Sequence, residues 1–411
     1  MLWSRKPAPV HDPSRVVGVD LTSTRARAVS VGGGKVRPVV LDEPAEELFL
    51  FLACDRRTPE LGRAGYGLVR RMPHAVGSNF LPALGHPKEV RAGRFSFTPD
   101  AALELAFAKL KGPVAAESDA VAVVLPAYLT PPQVAKAVAA ATRAKFPLKG
   151  TASAPLAVAA HRAAILLAGK PQPEPDKPSP EGWVVPLRPA ASGPGSVVII
   201  DADEFALSGA VVAVERDNAK LVASACWPRC SAKAWKDRLL DAVSDRCVRL
   251  CRRDPRDSAE AEQALFEQLD DALERARAGQ RVNLTVRTAH WYQDLILQPD
   301  DLDGYCAALA RCSADAVREL IAGLPVPPRA VWLTQTAGRL PGLGLAVHQN
   351  TPEGTAVEVL PGGAVAHAAA ALVPRWLAGE LPRTHLDTVL PFPSVVSQQP
   401  PAEQPKASTK R

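Results

Sequence analysis

Aromatic residues make up only 5% of this 411-residue chain, and its 49 lysines and arginines exceed its 43 aspartates and glutamates by only six. Basic pairs such as Arg56–Arg57, Arg70–Arg71 and Arg252–Arg253 are scattered along it. A positive stripe interleaved with stacking rings is the footprint of nucleic-acid binding. Its absence leaves no nucleic-acid partner to expect. No apolar run reaches the roughly 18 residues that a membrane-crossing helix needs. The opening stretch MLWSRKPAPVHDPSR lacks the apolar segment of a signal peptide. These two absences predict a cytoplasmic protein with no membrane partner. The seven cysteines are odd in number, which fits reduced thiols better than a disulfide framework. No P-loop, H-E-x-x-H, nucleophile elbow or Ser-His-Asp order is present.

Cys226, Cys230, Cys247 and Cys251 form two C-x3-C pairs and invite a zinc reading. Structural zinc sites more often use knuckles with two intervening residues. The second pair sits in DRLLDAVSDRCVRLCRR, a helical pattern in which positions four apart share a face. A half-buried helix face holding small thiols is therefore expected. His161 and His367 lie in alanine-rich helical segments and read as helix-edge residues rather than catalysts.

What is present is length for two or three domain-sized units and 47% apolar residues to fill their cores. VVGVDL (16–21) and ARAVSV (26–31) read as a hairpin around a polar turn, and KVRPVVLD adds a third strand. Residues 100–111 read as a helix, 119–129 as a buried strand, and 131–146 and 154–169 as helices. Residues 170–195 are proline-rich and read as a surface loop. SVVIID (196–201) and SGAVVAVE (208–215) then repeat the hairpin. Helices are expected over 233–252, 258–278, 299–324 and 364–379, and strands over 281–287 and 330–336. PEGTAVEVLPGG reads as a loop. The division expected is a flexible N-terminus (1–15), lobe I (16–169), the Pro-rich loop (170–195), lobe II (196–379) and a disordered tail (380–411). The last helix of lobe II packs back on lobe I. The fold class is α/β, a duplicated mixed sheet flanked by helices, with a cleft between two lobes.

Several segments, in order, resemble the nucleotide-binding domain of the seventy-kilodalton heat-shock (DnaK-type) chaperones, within the actin-like ATPase superfamily with its ribonuclease H-like fold. GVDLTST is similar to the first phosphate hairpin of that family. VVLPAYLTPPQVAKAVAAA looks like its V-P-A-Y-F segment and following helix. ASAPLAVAAH stands where it has E-P-T-A-A-A, and VIIDADEFALSGAVV where it has the second hairpin, D-L-G-G-G-T. QALFEQLDDALERARAG resembles the helix lining the adenosine pocket, AVWLTQTAGRLPGL the adenosine motif, and GGAVAHAAAA the closing helix. Such a domain clasps ATP or ADP, with magnesium held through its water shell by hairpin aspartates.

The resemblance implies that Asp20 and Asp201 are the magnesium-side aspartates and that Ser23 and Thr24 donate to phosphate. It places Glu274, Arg277, Gly338 and Arg339 on the adenosine side. It also exposes losses. Thr22 replaces a glycine where backbone should approach the phosphates, and an ordinary β-turn with hydroxyls bonded to its own backbone fits equally. Asp203, Glu204 and Phe205 fill the three-glycine stretch, and Ala206 replaces its threonine. This second turn reads as acidic and solvent-facing. Ala154 replaces the glutamate of E-P-T-A-A-A, and Leu81 falls near the place of the catalytic lysine. Gln335 and Thr336 replace the glycine pair that packs on adenine. For Glu274 and Arg277 an exposed i, i+3 ion pair is the plain alternative. The family's peptide-binding β-sandwich has too few residues after position 385 to be expected. The function expected is a degenerate nucleotide-binding domain working as a binding or scaffold module for an unknown protein partner, with ATP binding weak or lost. A divergent ATP-hydrolysing chaperone-type domain is the alternative.

Overall fold

VVGVDL and GSVVIIDA, two runs rich in branched apolar residues, each begin a three-stranded antiparallel meander. The first comprises β1 (Val16–Leu21), β2 (Arg25–Gly32) and β3 (Lys35–Pro38), with the short β4 (Glu47–Phe49) also pairing with β2. Two further strands, β5 (Val121–Leu125) and β6 (Leu148–Ser153), extend the other side of β1 in parallel, giving the order β6-β5-β1-β2-β3. Every residue of β5 is buried, as a parallel strand covered on both faces requires. The structure, a computed structural model, describes residues 15–87, 89–167, 195–384 and 388–392. The N-terminus before Arg15, nearly all of the Pro-rich loop and the tail beyond 392 lie outside the described residues.

The second sheet repeats this topology. Its meander is β7 (Gly195–Ala202), β8 (Leu207–Val214) and β9 (Asn218–Trp227). A separate hairpin follows, β10 (Val282–Arg287) with β11 (Tyr292–Leu297). Then β12 (Ala330–Leu333) runs parallel to β7, and β13 (Ala356–Val359) parallel to β12. The order is β13-β12-β7-β8-β9, with a last strand, β14 (Val389–Pro391), closing the β9 edge. Four of these strands correct the sequence reading, β9 among them, a ten-residue strand in a stretch left unassigned. β13 lies inside the stretch read as a loop, because its proline and glycine neighbours dominate the local pattern. β11 carries only two buried side chains and went unread. β14 lies in the segment read as disordered tail; its Leu390 is fully buried.

The helices start where hydroxyl side chains can cap free N–H groups. Thr98 accepts from Ala101 N–H (3.2 Å) at α1 (Pro99–Glu117), and Pro131 opens α2 (Pro131–Arg143) where its missing N–H costs nothing. Next come α3 (Ala154–Leu167), α4 (Ala232–Cys251), α5 (Ala259–Arg277), α6 (Pro299–Ala322), α7 (Leu343–Asn350) and α8 (Ala364–Leu377). α3 follows the first sheet in sequence yet packs on β8 and β9, while α8 returns to pack on β1, β2 and β5. The two helices also pack on each other, so their small apolar residues form a core between the sheets. β1 and α8 approach to backbone contact. A Cβ on Gly18 would lie 1.9 Å from the Ala366 carbonyl oxygen and 2.4 Å from the Ala370 nitrogen. Arg162 of α3 grips Glu358 of β13 with two hydrogen bonds (2.8 and 3.0 Å) and lies over the Trp332 ring.

Candidate functional site

The β1–β2 turn and the β7–β8 turn face each other across the gap between the sheets, and they bond directly. Ser23 N–H donates to the Asp203 carboxylate at 3.0 Å. The Tyr128 hydroxyl, just after β5, donates to the same oxygen at 2.6 Å. Within its own turn Asp203 also accepts from Phe205 N–H and Ala206 N–H, both at 2.9 Å. The Phe205 ring packs on Tyr128, centroids 5.2 Å apart. Asp203 and Glu204 are 6% and 8% exposed. The reading of a solvent-facing acidic turn is therefore wrong: distant donors replace the water that such carboxylates would otherwise need.

Behind the turns lies a network of four cations and four carboxylates. Arg25, the first residue of β2, binds Glu47 at 2.9 Å and Asp270 of α5 at 2.5 Å. Lys236 of α4, fully buried, binds Glu204 at 2.8 Å and Asp270 at 3.1 Å. Arg339 reaches Asp270 at 2.8 Å and lies 3.8 Å from Glu274. Arg27 binds Glu47 and donates to the Gln335 side-chain carbonyl at 3.1 Å, and the Gln335 amide donates to Glu274 at 3.1 Å. The Tyr66 hydroxyl completes the shell of Asp270 at 3.0 Å. Burial alone would push the Asp270 carboxyl up; Arg25, Lys236 and Arg339 overcome it and hold the group well below the usual carboxylate range.

Asp20 and Asp201 sit beside this network without such partners. Burial, then the Asp201 charge, pushes the Asp20 carboxyl up to about 7, although Arg27 lies opposite it in the β1–β2 ladder. Burial pushes Asp201 up to about 6 against hydrogen bonds from the Thr334 hydroxyl (2.6 Å) and Ala202 N–H (2.9 Å). The hydroxyls of Ser23 and Thr24 are buried and bond to nothing described. Thr22 instead spends its hydroxyl and its N–H on the Arg25 carbonyl, at 3.1 and 2.8 Å. For that residue the ordinary turn is what the structure contains.

The space left between the turns is about 20 Å³, lined by Asp20, Thr24, Arg25, Asp203, Glu204 and Arg339 among others. One water needs roughly 10–15 Å³. Asp20 and Asp201 have the chemistry to hold magnesium, but this space does not fit a hydrated ion with a triphosphate, since Mg²⁺ usually keeps several waters. Beside it an open groove of about 300 Å³ is lined by Arg25, Glu47, Asp270, Glu274, Gln335 and Arg339, so the same ion-pair network borders both spaces. That volume is at the lower end of small-molecule pockets, which run from roughly 300 Å³ upward.

Of the sequence-derived candidates, Asp20, Ser23, Thr24, Asp201, Glu274 and Arg339 lie at the gap. Arg277 does not: it pairs with Glu274 at 3.1 Å on the outer face of α5 and lines neither space. Gly338 packs against β13, where a Cβ would meet Val359 at 2.3 Å. Leu81, at the place of the expected lysine, is fully buried in the core of the first sheet. Reasoning from sequence missed Arg25, Glu47, Lys236 and Asp270. Lys236 carried a signal, because it falls on the stripe Ala232, Trp235, Leu239, Leu240, Val243 that α4 buries.

The two histidines are half-buried, as residues at helix edges are. His161 and His367 meet edge to face between α3 and α8, ring centroids 4.6 Å apart. Burial and the neighbouring ring push His161 down to about 4. Among the described residues no group of three or more His, Cys, Asp or Glu side chains is placed to hold a metal. Cys247 and Cys251 share one face of α4, their sulfurs 3.5 Å apart. Among the described residues no helix is long and apolar enough to cross a membrane. Neither family models nor curated proteins match this chain.

Proposed function

We propose that the chain is a degenerate two-lobed domain of the actin-like, heat-shock 70 kDa type that works as a binding or scaffold module for a protein partner. Its inter-lobe cleft is held shut by its own side chains. The duplicated strand order, with α8 crossing back to the first sheet, supports the fold. The observation that carries the function is the balanced network around Asp270. Arg25 and Arg339 stand in the gap with carboxylate partners from both sides of it, and the space between the turns is about 20 Å³, beside an open groove of about 300 Å³ that the same network lines. A nucleotide entering there has to break several buried ion pairs, each costly to separate.

Calorimetric titration with ATP, magnesium present and absent, tests this reading together with an ATPase assay. Binding no tighter than millimolar and turnover at background are expected. The alternative, a divergent ATPase, is favoured by one observation: the Ser23 and Thr24 hydroxyls are buried without partners, as phosphate donors would be. Micromolar magnesium-dependent binding, with turnover abolished by Asp20→Ala, would establish it instead.

A further inference from the structure

We infer that Cys230 and Cys312 form a redox-modification site, a dithiol that a hydroperoxide converts to a disulfide. Cys230 is buried in the short turn between β9 and α4, and Cys312 is exposed on α6. They are 82 residues apart in sequence, yet their sulfurs lie 3.8 Å apart. Side-chain rotation has only to close that gap to the roughly 2 Å of an S–S bond. The partition of exposure assigns the roles, since a peroxide-sensing thiol must be accessible while its resolving partner need only be near.

The chemistry balances with one hydroperoxide. The Cys312 thiolate attacks the terminal peroxide oxygen, the O–O bond breaks, and the alkoxide or hydroxide released takes up a proton. Cys312 is now a sulfenic acid. The Cys230 sulfur, giving up its proton, attacks the Cys312 sulfur, the S–O bond breaks, and the hydroxide leaves as water. The two thiols together lose two electrons and the hydroperoxide gains them.

Cys247 and Cys251 are nearer to each other but are poorer candidates. They lie four apart within one helix, where the Cys251 thiol already donates to the Cys247 carbonyl at 3.3 Å. Burial pushes Cys230 up as it does Cys247, which reaches about 12, so exposure separates the two pairs: Cys312 is exposed, whereas Cys251 is only half-exposed. The Cys230 site also has a structural consequence. Ser231, the next residue, caps α4, and Ala232 N–H donates to the Asp203 carbonyl at 2.8 Å. A bridge to Cys312 therefore ties the root of the β7–β8 turn and the helix carrying Lys236 to α6. This inference does not depend on the nucleotide reading.

Treating the full chain with hydrogen peroxide at low molar excess, followed by thiol titration and peptide mapping without reductant, tests it. Accessible plus denatured thiols should fall from seven to five, with one linked peptide pair containing Cys230 and Cys312, reversed by dithiothreitol. Cys312→Ser, an exposed change that leaves the core intact, should keep all remaining thiols free. Cys230→Ser should leave Cys312 as a sulfenic acid that dimedone captures. Thiol loss that persists in Cys312→Ser, or over-oxidation of Cys312 in the unaltered chain without the link, overturns the proposal.

Discussion

The two hairpin turns occupy equivalent places in sheets of the same strand order, and they treat their polar groups in opposite ways. The β1–β2 turn keeps small hydroxyl residues, and two of its three hydroxyls are buried with no partner. The β7–β8 turn carries Asp203 and Glu204 and partners both, with Ser23 N–H, Tyr128 and two of its own N–H groups on the first and Lys236 on the second. The second turn thus supplies the acceptor for the first turn's Ser23 N–H. Buried carboxylates persist only where donors are arranged for them. The contrast puts the carboxylates that join the two turns on the second one.

The largest test of that asymmetry is to remove the cation behind the second turn. Lys236→Met keeps the volume, removes the close partner of Glu204 and one cation of Asp270, and leaves Glu204 with Arg25 at 3.9 Å. Breaking one side of a buried pair costs about 3–5 kcal/mol. Chemical denaturation should show a loss of that order. Adding Glu204→Gln to Lys236→Met should recover part of it, because the Glu204 charge is then gone. A loss below about 1 kcal/mol would mean that the second turn does not carry the closure.

How much of this was legible follows from where each partner lies in the chain. β1, β5 and β7 announce themselves as branched apolar runs, and the duplicated hairpin could be read from them, though β9, the third strand of the second meander, could not. Asp20 and Asp201 were expected at the gap through the resemblance of the two hairpins, not from a local pattern. Asp203 and Glu204 were misread because nothing local distinguishes them from solvated carboxylates. Their partners are Tyr128, 75 residues earlier, and Lys236, 32 residues later. Asp270 shows the same limit more sharply, since its cations come from Arg25, Lys236 and Arg339, three separate segments. Local periodicity reports which face of an element is buried; it does not report which charges meet once the elements assemble. Lys236 was the exception, a charge lying on a core stripe.

A smaller effect comes from the buried carboxylates of Asp20 and Asp201 between the turns. Asp20 is raised from 3.8 to about 7 and Asp201 from 3.8 to about 6. A carboxyl raised in the folded state binds its proton more tightly there than in the unfolded chain. Its ionisation therefore costs stability, which is fullest below about pH 4 for these groups and declines as pH rises toward 7. Asp20→Asn should stabilise the protein at pH 8 by about 1–2 kcal/mol, and that advantage should shrink as pH falls toward 4. Thermal melts across this range check it. A flat difference between the two proteins would show that Asp20 is not held against its charge. Magnesium that erases the difference would place a cation beside Asp20 and favour the ATPase alternative.

The smallest expected effect is the most discriminating. Ser23 and Thr24 carry buried hydroxyls that contribute no described hydrogen bond. Removing an unsatisfied buried polar group relieves its desolvation penalty, so Ser23→Ala and Thr24→Val should be neutral or stabilising by up to about 1 kcal/mol. In a working phosphate hairpin the same hydroxyls are donors, and their loss would weaken nucleotide affinity. Denaturation midpoints and ATP titration of these two variants therefore divide the readings by sign. Unchanged or raised stability, with ATP titrations matching the unaltered chain, is the outcome for a cleft closed on itself. A several-fold fall in ATP affinity would reassign the first turn as a functioning phosphate grip. The second turn would then be a gate that opens rather than a permanent closure.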